Sequence, residues 1–398
     1  MNFIFLSPNF PKTYYHFTAC LKNNGVTTLG IGDEPYDQLS QECKDSLVEY
    51  YKVGSLENYD EVYRACAYFA FKYGKIDWME SNNEYWLLRD AQLRTDFNVT
   101  TGLRNDHIDG IKYKSKMKEY YAKAGVPTAR YHLVTNLAEG KAFIDEVGYP
   151  VVVKPDNGVG ALATYKLKNE EDLLAFYADL PKVQYIMEEY INGTIVTYDG
   201  ICDSNRDIIF ETSHYFADPV MDVVNDQLDM WYYSRKVIPE NLRDAGRRTI
   251  KAFHSNSRFF HCEFFSLNED KEGLGKKGDI VGLEVNMRPP GGYSPDMMNF
   301  ANDIDVYQIW ANMVCYDQGY FDPEQRPYTC VYASRRRAYS YAHTHEEIFE
   351  RYGYHMSLYE EMPAVLAGTM GDFAYLARFE TEEEAVEFAK YVIEKKEG

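Results

Sequence analysis

The stretch GLEVNMRPPGG, residues 282–292, carries three polar side chains at alternate positions, Glu284, Asn286 and Arg288. It begins as a short apolar strand, and side chains along a strand alternate between its faces, so all three should point to the same side. Two oxygen ligands suit a hard divalent cation, and a guanidinium binds phosphate or carboxylate oxygens through paired N–H groups. The pattern fits a magnesium–phosphate site, although a solvated strand face would also place three polar residues in this way.

Another acidic residue, Glu263, lies in the strand-like segment from Phe259 to Leu267. A basic, glycine-rich loop joins that segment to a second strand-like segment from Asp279 to Met287, so we predict an antiparallel hairpin. Residues that face each other across a hairpin lie within contact distance on one face of the sheet. The hairpin would therefore bring Glu263 beside Glu284.

The segment VVVKP, residues 151–155, is typical of a buried strand, and the glycine-containing run DNGVGALATYKL follows it. Lys154 is a charged residue at the end of an apolar strand, where it needs a partner. A loop of small residues lets backbone N–H groups approach an anion closely. A bound phosphate would account for both features, and an ordinary hairpin turn is the alternative for the glycine pair.

The composition excludes several classes of protein. Lys and Arg total 42 against 62 Asp and Glu, and the formal charge of -20 argues against non-specific binding of nucleic-acid backbones. The seven cysteines are scattered and form no CxxC pair, which argues against a disulfide framework and against a zinc site. The N-terminus has no basic leader and no apolar run reaches membrane-spanning length, so we expect a cytoplasmic protein.

The elements that must position these residues alternate between strand and helix in the first hundred residues. Strand-like segments at 2–7, 26–32 and 76–81 are separated by helix-like segments, of which the clearest runs from Tyr59 to Tyr73. This alternation predicts a parallel sheet with helices on both faces. No GxGxxG follows the first strand, so dinucleotide binding is not supported. Beyond the proline-containing turns that end near Pro327, the pattern predicts a small α+β unit.

Five of these features occur in order: a lysine that begins a helix (KSKM), VVVKP with its glycine loop, the turn EEYIxG, an acid on a strand (HCEFF) and ExNxRxxGG. In this order they resemble the ATP-grasp superfamily, and within it the carboxylate–amine ligases that include L-amino acid ligases and D-alanine ligases. The resemblance is strong from Lys114 to Gly292.

The resemblance implies an α/β (α+β) chain with the ATP-grasp fold. It places an N-terminal parallel-sheet pre-ATP-grasp domain at residues 1–108, an ATP-grasp domain at 109–320 and a small C-terminal α+β domain at 321–398. Within the ATP-grasp domain, a lid subdomain would cover residues 115–187 and a larger subdomain residues 188–320.

The resemblance also implies which residues bind ATP. Lys114 and Lys154 match the two lysines that contact phosphate, with Lys112 or Lys116 as alternatives to Lys114. The glycine loop would cover the β- and γ-phosphates and the EEYIxG turn would hold the adenine. The matching residues are Asp156, Asn157, Gly158, Gly160 and Ala161 in the loop, and Glu188, Glu189, Tyr190 and Ile191 in the turn.

The chain departs from the family pattern just after this turn. Many relatives carry a ribose-binding acid there, whereas this chain has Thr194 and Ile195, with Asp199 only as a loose substitute. The contacts to the ribose are therefore not defined by the motif.

By the same resemblance, Glu263, Glu284 and Asn286 are the metal ligands. Arg288 would hold the acyl-phosphate or the carboxylate substrate, and Arg288, Lys154 and Asn286 together form the expected catalytic group. His261 either contacts the substrate or packs in the core. Arg235, which follows the aromatic run at 230–234, is a second candidate for anion binding.

The activity implied is ATP-dependent formation of an amide or peptide bond, in which a carboxylate is activated as an acyl-phosphate, an amine attacks it, and ADP and phosphate are released. The expected cofactors are ATP and Mg²⁺, with Mn²⁺ as a substitute. The expected partners are small-molecule carboxylate and amine substrates, with no nucleic acid and no membrane, and a homodimer is compatible with the sequence. Two alternatives stay open, a bicarbonate-activating enzyme similar to biotin carboxylase and a catalytically inactive ATP-binding regulator.

Overall fold

Four parallel strands form the first sheet of the computed structural model, which describes residues 1–158, 163–217, 223, 225–323 and 326–396. This sheet confirms the parallel arrangement predicted from the alternation of strands and helices. Its elements, in chain order, are β1 (Asn2–Leu6), α1 (Tyr15–Asn23), β2 (Thr27–Gly32), α2 (Gln41–Asp45), β3 (Glu49–Lys52), α3 (Tyr59–Tyr73), β4 (Trp78–Glu80) and α4 (Leu87–Asp96). The strand order is β3-β2-β1-β4.

Strand β1 shows why this sheet is covered on both faces. Phe3 and Phe5 pack in one apolar cluster with Phe17 of α1, whereas Ile4 and Leu6 pack in another with residues of α3. Successive side chains of a strand point to opposite faces, so an unbroken apolar run requires helices on each side.

A second sheet of four antiparallel strands, with its helices, forms the next part of the chain. The helix from Lys114 to Ala124 ends where Gly125 adopts the left-handed conformation, with φ of +65°, which glycine adopts at little cost. The elements are α5 (Asp109–Lys112), α6 (Lys114–Ala124), β5 (Tyr131–Leu133), α7 (Leu137–Val147), β6 (Val151–Pro155), β7 (Tyr165–Leu167), α8 (Glu170–Ala178) and β8 (Tyr185–Glu189). The strand order is β5-β8-β6-β7.

The third sheet, with nine strands among the described residues, carries the acidic hairpin. Its elements are β9 (Gly193–Cys202), β10 (Ile208–Thr212), β11 (His214–Phe216), β12 (Trp231–Ser234), α9 (Glu240–Ala252), β13 (Arg258–Leu267), β14 (Ile280–Asn286), α10 (Ser294–Asn302), α11 (Val306–Tyr316), β15 (Thr329–Arg335), α12 (His345–Tyr352), β16 (Met356–Glu361), α13 (Ala364–Met370), β17 (Phe373–Phe379) and α14 (Glu382–Ile393). The strand order is β14-β13-β9-β11-β12-β15-β17-β16, and β10 pairs with β9.

The C-terminal strands belong to this same large sheet. Strand β15 pairs with β12 on one side and with β17 on the other, so residues beyond Pro327 extend the sheet that contains β13 and β14. The division of the chain into domains at residues 108 and 320 stays a prediction. Among the described residues, no helix combines the length and the apolar content needed to cross a bilayer.

Helix α9 packs against the face of the large sheet opposite the acidic hairpin residues. Leu242 and Ile250 of α9 join Phe264 of β13 in one buried cluster. A Cβ at Gly246 would lie 2.2 Å from the ring of Tyr198, so glycine at this position lets helix and sheet approach closely.

A buried ionic cluster connects the first sheet to the large sheet. Glu80, at the end of β4, pairs with Arg94 at 2.8 Å and with Arg258 of β13 at 3.1 Å, and all three side chains are almost fully buried. Arg258 also donates through Nη1 to the backbone oxygen of Met287, at 3.2 Å. The first sheet is thereby tied to the backbone that follows Asn286.

Candidate functional site

A cavity lies between the second sheet and the hairpin of β13 and β14. Four lysines line the cavity on the side of α6 and the second sheet, namely Lys114, Lys118, Lys154 and Lys166. Glu263, Glu284, Asn286 and Arg288 line it on the side of the large sheet. One enclosed space therefore has cationic groups on one side and oxygen ligands on the other.

The acidic hairpin has the register expected from the sequence. Glu263 of β13 is directly opposite Glu284 of β14, and His261 is directly opposite Asn286. Because residues two apart on a strand share a face, the four side chains form a patch on one face of the sheet. Arg288 lies just beyond the end of β14 and also lines the cavity.

A buried chain of hydrogen bonds fixes Glu263. The Nε2 atom of His261 lies 3.1 Å from the Glu263 carboxylate, and its Nδ1 atom lies 2.6 Å from Asp199. Burial lowers the pKa of His261, but Asp199 outweighs this effect and raises it to about 9. His261 is therefore an imidazolium at neutral pH and donates to both carboxylates.

Asp199, the loose substitute for a ribose ligand, is not among the residues that line the cavity. Its carboxylate is fully buried and bound by His261 and by His214, whose Nδ1 atom lies at 2.7 Å. Both contacts offset the effect of burial and hold the pKa of Asp199 well below its usual range. The Asp199 carboxylate does not line the cavity, and it binds His261, which in turn contacts Glu263.

Lys112, Lys114 and Lys116, the three candidates for the first phosphate lysine, have different surroundings in the structure. Lys114 lies 3.4 Å from Glu284 and donates to the backbone oxygen of Gly158 at 3.1 Å. Lys112 is buried against Glu84, and Lys116 pairs with Glu119 on the surface. Of the three, only Lys114 lines the cavity.

Lys154 and Lys118 share one buried carboxylate, that of Glu188. Lys154 lies 2.6 Å from Glu188, and Lys118 contacts its other oxygen. Burial raises the pKa of Glu188, but the two lysines outweigh it and lower the pKa to about 2. The Glu188 side chain is thus bound by two lysines.

Lys118 was missed by sequence reasoning. It lies four residues after Lys114, one helical turn further along α6, so both side chains project from the same side of the helix. The spacing of the two lysines could have identified it.

The remaining residues of the predicted adenine turn have distinct surroundings. Glu189 is bound by Arg130 at 2.8 Å and by Lys271 at 3.5 Å. The Nζ atom of Lys166 lies 3.6 Å from the centre of the Tyr190 ring. All members of the turn line the cavity, where Val152, Ile191, Ile195 and Phe265 add an apolar surface suited to a flat ring.

Residues of the predicted phosphate loop are described only in part. The carboxylate of Asp156 accepts from the N–H of Ser115 at 2.7 Å and from its hydroxyl at 2.8 Å, so it satisfies a free N–H in the first turn of α6. Asn157 is exposed and Gly158 is half-buried. Gly160 and Ala161 lie outside the described residues.

Arg288 and Arg235 differ in their access to the cavity. Arg288 lines it and contacts Glu84 from the first sheet, with Nε 3.2 Å from the carboxylate. Arg235 follows β12, donates its backbone N–H to the oxygen of Ser213, and is not among the lining residues. Only Arg288 is placed to meet a ligand in this cavity.

The oxygen ligands fit a magnesium ion that a nucleotide would help to hold. Among the described residues, no three His, Cys, Asp or Glu side chains cluster as a metal site on their own. Glu263, Glu284 and Asn286 instead supply two carboxylates and an amide on one face, and Mg²⁺ commonly keeps waters and phosphate oxygens as its remaining ligands.

No family profile matches the chain. The carbamoyl phosphate synthase large chain of Saccharolobus islandicus is 27% identical over 110 residues, which cover 26% of this chain and 10% of that protein. The D-alanine–D-alanine ligase of Geobacillus thermodenitrificans is 28% identical over 200 residues, which cover 46% of this chain and 52% of the ligase. The matched segment thus spans about a tenth of the first relative and about half of the second.

Solved structures resemble the chain over nearly its whole length. The L-amino acid ligase from Bacillus licheniformis has a TM-score of 0.72 at 15% identity, covering 98% of this chain and 96% of that one. The biotin carboxylase domain of 2-oxoglutarate carboxylase from Hydrogenobacter thermophilus, solved with MgADP, ADP and bicarbonate, has a TM-score of 0.67 at 16% identity, covering 97% and 88%. These likenesses show a shared fold.

Proposed function

We propose that this chain, which has the ATP-grasp fold, is an ATP-dependent carboxylate–amine ligase that works through an acyl-phosphate. The observation that carries the proposal is the placement of Glu263 opposite Glu284, in one cavity that Lys114 and Lys154 also line. Oxygen ligands for a metal and cations for phosphate are what transfer of a phosphoryl group requires.

The two lysines, the arginine and the three oxygen ligands of the cavity each have a role in this proposal. Lys114 and Lys154 hold phosphate oxygens, and Arg288 holds the carboxylate and then the acyl-phosphate. Glu263, Glu284 and Asn286 hold Mg²⁺, which would neutralise charge on the transferred phosphoryl group. These fixed charges favour the transition state, so the protein acts by positioning and electrostatics and needs no covalent nucleophile.

The base and ribose would occupy the apolar end of the cavity. The turn from Glu188 to Ile191 offers backbone groups to the purine edge, and Ile195 and Phe265 offer surface against the rings. Gly158 accepts a hydrogen bond from Lys114 through its backbone oxygen, and in this proposal the glycine loop covers the phosphates.

The proposed reaction has two steps. A carboxylate oxygen attacks the γ-phosphorus of ATP and ADP leaves, which turns a poor leaving group into a good one. The amine nitrogen then attacks the acyl carbon, loses a proton, and inorganic phosphate leaves. Exclusion of water from the cavity would protect the acyl-phosphate from hydrolysis.

The similar proteins support the same chemistry. The B. licheniformis structure is an L-amino acid ligase and the Geobacillus relative is a D-alanine–D-alanine ligase. Both names describe joining of a carboxylate to an amine. The identity of the two substrates of this chain is left to experiment.

The test is ADP release from Mg-ATP with a panel of carboxylate and amine pairs, followed by mass measurement of the product. We expect ADP release that requires both substrates, and its loss in Glu284→Ala. The exposed Glu119→Ala is the matched control and should retain full activity. Full activity of Glu284→Ala would contradict the metal site, and ATP binding without ADP release in every mixture would favour a binding protein.

A second candidate is activation of bicarbonate. The biotin carboxylase domain bound to MgADP and bicarbonate shares the fold over 97% of this chain. Bicarbonate is itself a small carboxylate, and Arg288 could hold it in the same way. ADP release that depends on bicarbonate and not on an amine would favour this candidate over the ligase.

A further inference from the structure

Glu84 forms a buried bridge between two cations. One carboxylate oxygen lies 2.8 Å from Nζ of Lys112, and the other lies 3.2 Å from Nε of Arg288. The side chains of Lys112 and Glu84 are 7% and 8% exposed, and that of Arg288 is 13% exposed. Burial raises the pKa of Glu84, but Arg288 and Lys112 outweigh it and lower the pKa, so the carboxylate stays charged.

Glu84 and Arg288 each follow a strand, and the two strands belong to different sheets. Glu84 follows β4 of the first sheet, whereas Arg288 follows β14 of the large sheet, 204 residues later. The loop that carries Glu84 is itself fixed, because Ser81 donates through its N–H and its hydroxyl to Asp90, at 3.1 and 2.6 Å. The side chain of Asn83 then accepts from Tyr85 and caps the short 3₁₀ turn that begins at Glu84.

The contact restricts the guanidinium of Arg288. Its Nε donates to Glu84, and its Nη1 donates to the backbone oxygen of Pro289 at 2.7 Å. A guanidinium is planar, so two fixed N–H groups set the direction of the others. Arg258 also holds the preceding backbone oxygen, that of Met287. The segment is thus fixed through its backbone and through its side chain.

Stability alone does not account for this arrangement. Burying three charged groups removes them from water, and well-packed apolar residues of similar volume often serve the fold equally well. An ion pair can fix the orientation of the Arg288 guanidinium in the cavity, which apolar packing cannot do.

We propose that Glu84 is a positioning residue, which holds the Arg288 guanidinium in the orientation that receives the carboxylate substrate and its acyl-phosphate. This inference rests on the proposed ligase function. It adds a residue from the first sheet to a site that the family motifs place entirely in the central part of the chain.

The test compares Glu84→Gln with Lys112→Gln. Glu84→Gln removes the charge shared by both buried pairs, whereas Lys112→Gln removes only the pair with Lys112 and keeps the charge that holds Arg288. We expect kcat of Glu84→Gln to fall about 10- to 100-fold, the scale of a small misplacement of a reacting group, with KM for ATP nearly unchanged. Lys112→Gln should also lower the melting temperature but keep kcat within about threefold of wild type.

A double-mutant cycle shows whether Glu84 acts through Arg288. Arg288→Lys keeps a positive charge but lacks the planar fork that Glu84 orients. In that background, Glu84→Gln should reduce kcat by less than about twofold, because residues that act as a unit are not additive. Independent, multiplicative losses would overturn the proposal.

The outcomes separate this inference from the proposed function. Wild-type protein that releases ADP, with Glu84→Gln equally active, overturns the role of Glu84 alone. Wild-type protein that releases no ADP with any pair overturns the ligase function, and this inference with it. If Glu84→Gln does not fold, Glu84→Asp replaces it in the test. Aspartate keeps the charge, but its side chain is one methylene shorter and cannot reach both cations, so we again expect a lower kcat with KM for ATP unchanged. An unchanged kcat in Glu84→Asp overturns the proposal.

Discussion

Glu263 and Glu284 lie directly opposite each other on adjacent antiparallel strands, with their carboxylates on one face of the sheet. Two like charges in this position repel each other unless a cation lies between or beside them. Lys114 lies close to Glu284, and the imidazolium of His261 lies close to Glu263. The protein thus supplies a cationic neighbour to each carboxylate, and a divalent ion would be shared by both.

Magnesium should stabilise the folded protein through these two carboxylates. An ion that binds only the folded state raises the melting temperature by mass action. We expect Mg²⁺ with ADP to raise the melting temperature of the wild type, and to raise it much less in Glu284→Gln. Differential scanning fluorimetry with and without EDTA measures this effect. Glu119→Gln is the matched control, and an equal shift in Glu284→Gln would contradict the metal assignment.

Loss of Lys154 should affect both folding and activity. Lys154→Met leaves the buried Glu188 with Lys118 as its remaining lysine partner, and loss of a hydrogen bond to a charged group costs about 1.5–3 kcal/mol of unfolding free energy. Because Lys154 is also proposed to hold phosphate, kcat should fall about 100-fold or more. Urea unfolding and ADP release measure the two effects. Lys141→Met, which removes a surface ion pair, should change neither, and equal activity of Lys154→Met would refute its phosphate role.

Ile195 should make the site tolerant of changes in the sugar. It lines the cavity, and by the resemblance Thr194 and Ile195 follow the turn where a ribose-binding acid is expected. An apolar side chain accepts no hydrogen bond from a hydroxyl. We expect similar KM values for ATP and 2′-deoxy-ATP in the wild type. Ile195→Glu should favour ATP over the deoxynucleotide, whereas Ile195→Leu should not. A strong preference of the wild type for ATP would show that another group holds the ribose.

Asp296 should make stability fall with rising pH. Burial raises the pKa of its carboxyl to about 6, and one of its oxygens has no hydrogen-bond partner among the described residues. The carboxyl titrates near 3.8 when unfolded, so between about pH 4 and pH 6 the folded protein holds a proton that the unfolded chain has lost. The contribution of Asp296 to stability is therefore most favourable below this window and is lost as pH rises through it.

Asp296→Asn removes the buried carboxylate, and with it the free-energy cost of ionising that group in the folded protein. We expect the variant to have a free energy of unfolding about 1–3 kcal/mol higher than the wild type at pH 7, and the gain should disappear towards pH 4. Urea unfolding at several pH values measures it, with the exposed Asp60→Asn as the control. A gain that does not depend on pH would show that ionisation of Asp296 is not the cause.

The hairpin could be predicted from sequence because its polar residues follow the period of a strand. Alternation at Glu284, Asn286 and Arg288 and the facing strand with Glu263 defined which side chains share a face. The helices α10 and α11 were not predicted. Most residues of both helices are buried, as in MMNFA and WANMVCY, and a short apolar run does not by itself distinguish a buried helix from a buried strand.

Contacts distant in sequence could not be predicted in the same way. Glu84 meets Arg288 across 204 residues, and no local pattern indicates which acid will contact which arginine. Strand β15 is buried along its whole length, and its residues do not indicate whether it forms a separate sheet or extends an existing one, because a strand pattern does not identify its neighbour. The pairing of β15 with β12 is seen in the structure and was not predicted from the sequence.

The continuity of the large sheet sets a limit on how the chain can be shortened. A protein that ended near residue 327 would lack the three strands that follow, and β12 would be left with a row of unpaired backbone groups along one side. Exposed edges of this kind recruit strands from other molecules. Removal of the last part of the chain would therefore expose a strand edge on the same sheet that carries Glu263 and Glu284.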